Sequence, residues 1–89
     1  MLKLTDTRKE IKGKTKLDLE LIGSRLKEIR KDLDLSLRGL GDKLNCSFSS
    51  LGSYERGKNL INCEILISLS KYSKCSIDYI LGRSNKKMN

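Results

Sequence analysis

Apolar residues early in the chain return every three or four positions. Leu19, Ile22, Leu26, Ile29 and Leu33 fall on one stripe of a helix, and Arg25, Lys27, Glu28, Lys31 and Asp32 fill the other face. Downstream, one short pattern occurs four times: an apolar residue, a Ser or Asn, and a second apolar residue four places beyond the Ser or Asn. The instances are Leu35-Ser36 with Leu40, Cys46-Ser47 with Leu51, Ile61-Asn62 with Leu66, and Cys75-Ser76 with Ile80. Each fits a helix start, where the polar side chain accepts from orphan backbone N–H groups and the flanking apolar pair forms a hydrophobic staple. A cap of this kind contributes ~1 kcal/mol. The pattern predicts further helices at 37–44, 48–55, 63–73 and 77–81. With no proline in the chain, the fold class is all-α.

The ends differ in character. Residues 1–16 carry six Lys or Arg with Thr, Gly13 and scattered Leu2, Leu4 and Ile11, without a sustained period, and are expected to form a flexible basic arm. Residues 17–82 form the helical domain. Residues 83–89, Arg-Ser-Asn-Lys-Lys-Met-Asn, are expected to be a polar, frayed tail.

Composition narrows the function without choosing it. Eighty-nine residues with 37% hydrophobic content allow one small domain with a modest core. Nineteen Lys and Arg against 11 Asp and Glu give a net charge of +8, which favours polyanionic partners and equally serves solubility. Three cysteines, Cys46, Cys63 and Cys75, with no C-x-x-C pair and no histidine, argue against a disulfide framework and a zinc site. Cys46 and Cys75 occupy staple positions and read as small buried hydrophobes. No apolar run reaches the ~18 residues of a membrane span, and the N-terminus lacks a signal peptide's apolar segment. A cytoplasmic, nucleoid-associated protein with reduced thiols is expected.

The helices at 37–44 and 48–55 are separated by only Asn45, Cys46 and Ser47. So tight a link fixes a large interhelix angle, with Asn45 at the left-handed position that ends the first helix. Gly41 is expected at the crossing, where the missing side chain lets the second helix approach. This is the geometry of a helix-turn-helix. The stretches "IGSRLKEIRKDLDLSLRGLGDKLNCSFSSLGSYERGKN" and "INCEILISLSKYSKCSIDYILG", about Ile22 to Gly82, resemble the Cro/C1-type helix-turn-helix proteins, the phage-repressor-like (XRE) family. The "YERGK" after the second helix and the final "SIDYILG" are typical of it.

The resemblance implies a compact five-helix, lambda-repressor-like domain that binds double-stranded DNA. In such proteins the acid of "ERG" pairs with a base late in the first helix, which here makes Arg30 and Glu55 a structural ion pair; a solvent-exposed Glu55 is the alternative. Gly57 would then turn the chain so that backbone N–H groups near Arg56 to Lys58 face a phosphate. The helix from Phe48 to Glu55 would lie in the major groove, with Phe48, Ser49, Ser50 and Ser53 at base-contacting positions. Phosphate-contact candidates are Arg38, Ser47, Arg56, Lys58 and Asn59. Relatives commonly carry glutamine where this chain has Leu37 and Phe48, so the polar contacts typical of those positions do not carry over. Phe48 has two placements open to it, on a thymine methyl or on the protein's own surface. Gly52 lowers helix stability by ~1 kcal/mol relative to alanine.

A sequence-specific regulator, most simply a repressor acting as a homodimer on an inverted repeat, is the function these readings favour. Ile77, Tyr79, Ile80 and Leu81 would either form the dimer contact or close the core against the first helix. The basic arm would follow a groove or serve only as a solubilising tail. An antitoxin-type autoregulator is a variant within the same class, and a protein-interaction module that keeps the fold without reading DNA belongs to a second class. An enzyme is not expected: there is no histidine, no acid cluster with metal-ligand spacing and no phosphate loop. No cofactor, metal or small-molecule ligand is expected, and a chain of this length would hold no ligand-sensing C-terminal module unless it is a piece of a longer repressor.

Overall fold

The computed structural model describes residues 17–88, which form five helices and no named strand. The arm at 1–16 and the groove or tail roles considered for it lie outside the described residues, as does Asn89. We number the helices α1 (Leu19–Asp32), α2 (Leu37–Leu44), α3 (Phe48–Glu55), α4 (Cys63–Ser73) and α5 (Ile77–Ile80). Ser36, Ser47, Asn62 and Ser76 each stand at an N-cap with extended backbone and accept a backbone N–H from the first turn. The cap of α1 is Asp18, whose Oδ1 accepts from Glu20 N and Leu21 N, both at 3.1 Å; a carboxylate there also complements the helix dipole.

Three helices end in one motif. After α1, α3 and α5 the chain passes through a left-handed residue, Asp34, Gly57 and Gly82 respectively. At each, its own N–H and that of the next residue return to carbonyls of the last turn: Asp34 and Leu35 to Lys31 and Arg30, Gly57 and Lys58 to Tyr54 and Ser53, Gly82 and Arg83 to Tyr79 and Asp78. This is the Schellman arrangement. It ends α5 at Ile80, one residue short of the expected 81, with Leu81 as the cap.

The core joins Ile22, Leu26 and Ile29 of α1, Leu40 and Leu44 of α2 and Leu51 of α3 to Ile61, Leu66, Leu69, Cys75, Tyr79 and Ile80. The α1 stripe is as its periodicity implies, with Leu19 and Leu33 half-buried at its ends. Of the four apolar residues in doubt at α5, Tyr79 and Ile80 are buried, Leu81 packs on the core and Ile77 stays exposed. Cys75 is buried, Cys46 half-buried and Cys63 exposed, all as free thiols.

The tail after Gly82 is not frayed. Ser76 N donates to Lys87 O at 2.7 Å, and Cys75 and Met88 form an isolated antiparallel bridge. Across the tail, Arg25 donates to Tyr79 O (2.6 Å), Ser84 O (2.9 Å) and Asn85 Oδ1 (3.0 Å). Lys87 Nζ bridges Glu28 Oε2 at 3.2 Å and Asp32 Oδ2 at 2.7 Å. The tail docks for a plain reason: Arg25, Glu28 and Asp32, spaced by three and four, put one basic and two acidic groups on one line of α1. A polar segment ending in Lys86-Lys87 finds its partners there.

Candidate nucleic-acid interface

The turn between α2 and α3 fixes the interface. Asn45 adopts φ 56°, ψ 51°, the left-handed conformation that closes α2, and Cys46 N donates to Gly41 O at 2.9 Å. A β-carbon at Gly41 would collide with the Cys46 carbonyl and sit 3.6 Å from Phe48 N. The glycine thus makes room chiefly for the turn itself and only then for the start of α3. Burial holds the Cys46 thiol above its ordinary pKa, so it stays neutral beside the turn.

α1 braces α3 at its other end. Arg30 Nε donates to Glu55 Oε2 at 2.6 Å and Arg30 Nη2 to Glu55 Oε1 at 3.0 Å, while Arg30 Nη1 holds Leu35 O at 2.9 Å. The two side chains are only 13% and 8% exposed, a bidentate pair largely withdrawn from water. The carboxylate raises the Arg30 pKa against the opposing effect of burial. Gly23, which sequence reasoning passed over, sits under the same junction. A β-carbon there would strike the Glu55 carbonyl oxygen and lie 2.8 Å from that of Tyr54. Its signal was legible: a glycine inside a helical stripe weakens the helix and marks a close backbone approach.

With both ends fixed, α3 presents Phe48 and Ser49 to solvent and keeps Ser50 and Ser53 half-buried. The Ser47 hydroxyl caps Ser50 N at 3.1 Å and donates to Ser50 Oγ at 3.0 Å. Ser53 Oγ accepts from Asn59 Nδ2 at 2.6 Å. Ser50, Ser53, Ser47 and Asn59 are therefore already bonded among themselves, leaving Ser49 and Phe48 as the most open positions at the start of the helix. Arg56 and Lys58 are exposed at the far end. The backbone N–H groups of Arg56, Gly57 and Lys58 all return to α3 carbonyls, so the expectation that they face a phosphate does not hold. The last helical bond takes that of Arg56, and the Schellman motif takes those of Gly57 and Lys58.

Two arginines flank the helix in arrangements that spacing alone did not indicate. Arg38, at the start of α2, lies over the Phe48 ring with 4.0 Å from Cζ to the centroid. Arg56 folds back toward Gly52, where a β-carbon would sit 3.0 Å from its Nη1 and 3.7 Å from Leu37 Cδ1. Gly52 is thus buried beneath Leu37 and Arg56, and its missing side chain gives them space.

The helix-turn-helix family model HTH_3 matches residues 26–80, well over half of the chain. The chain belongs to the Cro/C1-type helix-turn-helix family. It is 34% identical over 65 residues to repressor protein C2 of Salmonella phage P22, an alignment covering 73% of this chain and 30% of that protein. It is also 34% identical over 62 residues to the transcriptional regulator ImmR of Bacillus subtilis, covering 70% of this chain and 49% of that one. The chain thus spans about a third to a half of these curated relatives. Among solved structures, the P22 c2 repressor in complex with a synthetic operator superposes with a TM-score of 0.67 at 34% identity, covering 72% of this chain and 97% of that one.

Among the described residues no helix is long and apolar enough to cross a membrane, and no group of His, Cys, Asp or Glu is placed to hold a metal ion.

Proposed function

We infer that this protein is a sequence-specific regulator that binds double-stranded DNA through α3, most simply as a repressor. One observation carries the reading: α3 is clamped at both ends, by the Gly41 turn and by the Arg30–Glu55 pair, with its N-terminal face left open to solvent and basic groups flanking it. A helix held in this way enters a major groove without further ordering, which removes an entropic cost of binding. The similarity to a repressor solved on its operator supports the same role, as does the net charge of +8.

Phe48, Ser49, Ser50 and Ser53 then face base edges, and Ser47, Arg56, Lys58 and Asn59 hold the phosphates on either side. One such helix reads only a few base pairs. A homodimer on an inverted repeat, with half-sites about one helical turn apart, supplies the remaining specificity. Membership of a regulatory helix-turn-helix family fits a non-enzymatic role in the cytoplasm.

Selection of bound duplexes from a random library at near-physiological salt tests the reading. The expected result is an inverted repeat with half-sites about one turn apart. Recovery of no motif, with weak binding that collapses steeply as salt rises, overturns it in favour of non-specific charge attraction.

A further inference from the structure

Arg38 was grouped with the phosphate contacts, yet the structure sets it against the first residue of α3. Its guanidinium carbon is 4.0 Å from the centroid of the Phe48 ring, and Phe48 itself is 43% exposed. Both residues are open to solvent, and among the described residues no carboxylate pairs with Arg38 and no acceptor takes its N–H groups. A stacked guanidinium spends only one face on the ring. Its in-plane N–H fork stays available, and the stack removes much of the rotamer freedom that a lone surface arginine loses on binding.

The neighbouring residues explain why the stack forms at this point. Leu37, just before Arg38, is half-buried and turned toward Gly52. The start of α2 is thereby fixed with its next residue pointing along the front of α3. Phe48 offers no polar atoms of its own, so any hydrogen-bond readout at that corner has to come from a neighbour. The nearest free donor fork is that of Arg38.

We propose that Arg38, stacked on Phe48, is a specificity-determining residue that reads a guanine adjoining a thymine in the operator half-site. The inference rests on the DNA-binding reading above. A guanidinium fork matches the O6 and N7 acceptors of guanine in the major groove, the commonest specific contact made there. The exposed edge of the Phe48 ring suits the C5-methyl group of thymine, an apolar feature of the same groove. The two side chains act as one reader because the ring orients the fork.

The test compares motifs selected by the wild-type chain, Arg38→Lys, Arg38→Ala and Phe48→Leu, with salt-dependent affinities on the wild-type site and on a scrambled duplex. Arg38→Lys keeps the charge and loses the planar fork. The expected outcome is that Arg38→Lys and Arg38→Ala lose about tenfold of the preference for guanine at one position of each half-site while other positions are unchanged. Phe48→Leu should weaken the same guanine preference through loss of the stack. The proposal is overturned if Arg38→Ala weakens binding uniformly on both duplexes and lowers the salt slope by about one with the motif intact, since that is a phosphate contact. Failure of the wild-type chain to select any motif would instead remove the regulator reading, and this inference with it. As Arg38 and Phe48 are exposed, helical circular dichroism of all variants should match the wild type.

Discussion

Arg30 and Glu55 meet in a two-pronged ion pair, 2.6 and 3.0 Å long, that ties the last turn of α1 to the last residue of α3. The pair answers why an acid stands in so basic a segment. Glu55 repels no DNA from within its contact with Arg30, and it holds the reading helix against the scaffold.

Removing one partner strands the other charge in a site with little water. Arg30→Ala or Glu55→Ala is expected to destabilise the fold by about 3 kcal/mol, seen as a lower denaturant midpoint. The double variant should cost less than the sum of the two, and strict additivity in that cycle would show that the pair is not coupled.

Gly23 and Gly41 are both close-approach glycines. In each case the atoms a β-carbon would meet are backbone, which cannot swing aside as a side chain can. Although alanine is the better helix former, Gly23→Ala and Gly41→Ala should destabilise by roughly 1–3 kcal/mol, read by thermal or chemical unfolding. A stabilised Gly23→Ala would mean that α1 and α3 can separate freely.

The contact between α1 and α5 makes stability depend on pH through Glu28 and Tyr79. Tyr79 Oη donates to Glu28 Oε1 at 2.7 Å. That bond, then Lys87, lowers the Glu28 pKa below its ordinary 4.5 against the opposing effects of burial and Asp32. Tyr79 is raised above its ordinary 10.0, first by the same bond. A depressed carboxylate contributes stability above pH ~4.5 that is lost as pH falls through its folded value; a raised phenol contributes below pH ~10 and loses that as pH rises through its folded value. Tyr79→Phe should therefore cost about 1 kcal/mol near neutrality, discounted because Glu28 is nearly half exposed. Its stability profile should be flatter than the wild type's at both pH extremes.

Truncation after Gly82 removes Lys87's bridge to α1 and two of the three hydrogen-bond acceptors of Arg25, leaving Tyr79 O. The expected outcome is a lower melting temperature and faster amide exchange at Ser76, whose N–H donates to Lys87 O in the tail. Unchanged exchange there would show that the tail does not protect α5.

Arg56 and Lys58 are exposed at the C-terminal end of α3. If they grip phosphates, each Arg56→Ala or Lys58→Ala change should reduce the salt slope of DNA binding by about one and weaken all sequences alike. A change in the selected motif would move that residue to base reading.

By itself the sequence determined most of what depends on neighbours along the chain, though not the Asp18 cap or the left-handed Asp34 that bound α1. The α1 stripe, the Ser and Asn caps, the left-handed Asn45 and the short turn are local choices with strong steric or hydrogen-bond preferences, so spacing alone located the helices almost to the residue. Family resemblance added the Arg30–Glu55 partnership. Tertiary structure decided what depends on approach in space: Gly23 beneath the end of α3, Leu37 and Arg56 over Gly52, Arg38 on Phe48, and the tail along α1. Periodicity does not encode these, because an exposed arginine or a polar tail has many partners in sequence and acquires one only when packing sets the distances. The same reason explains the N–H groups after α3. Gly57 signalled a left-handed turn, but only the folded backbone showed its donors already bonded to Tyr54 and Ser53.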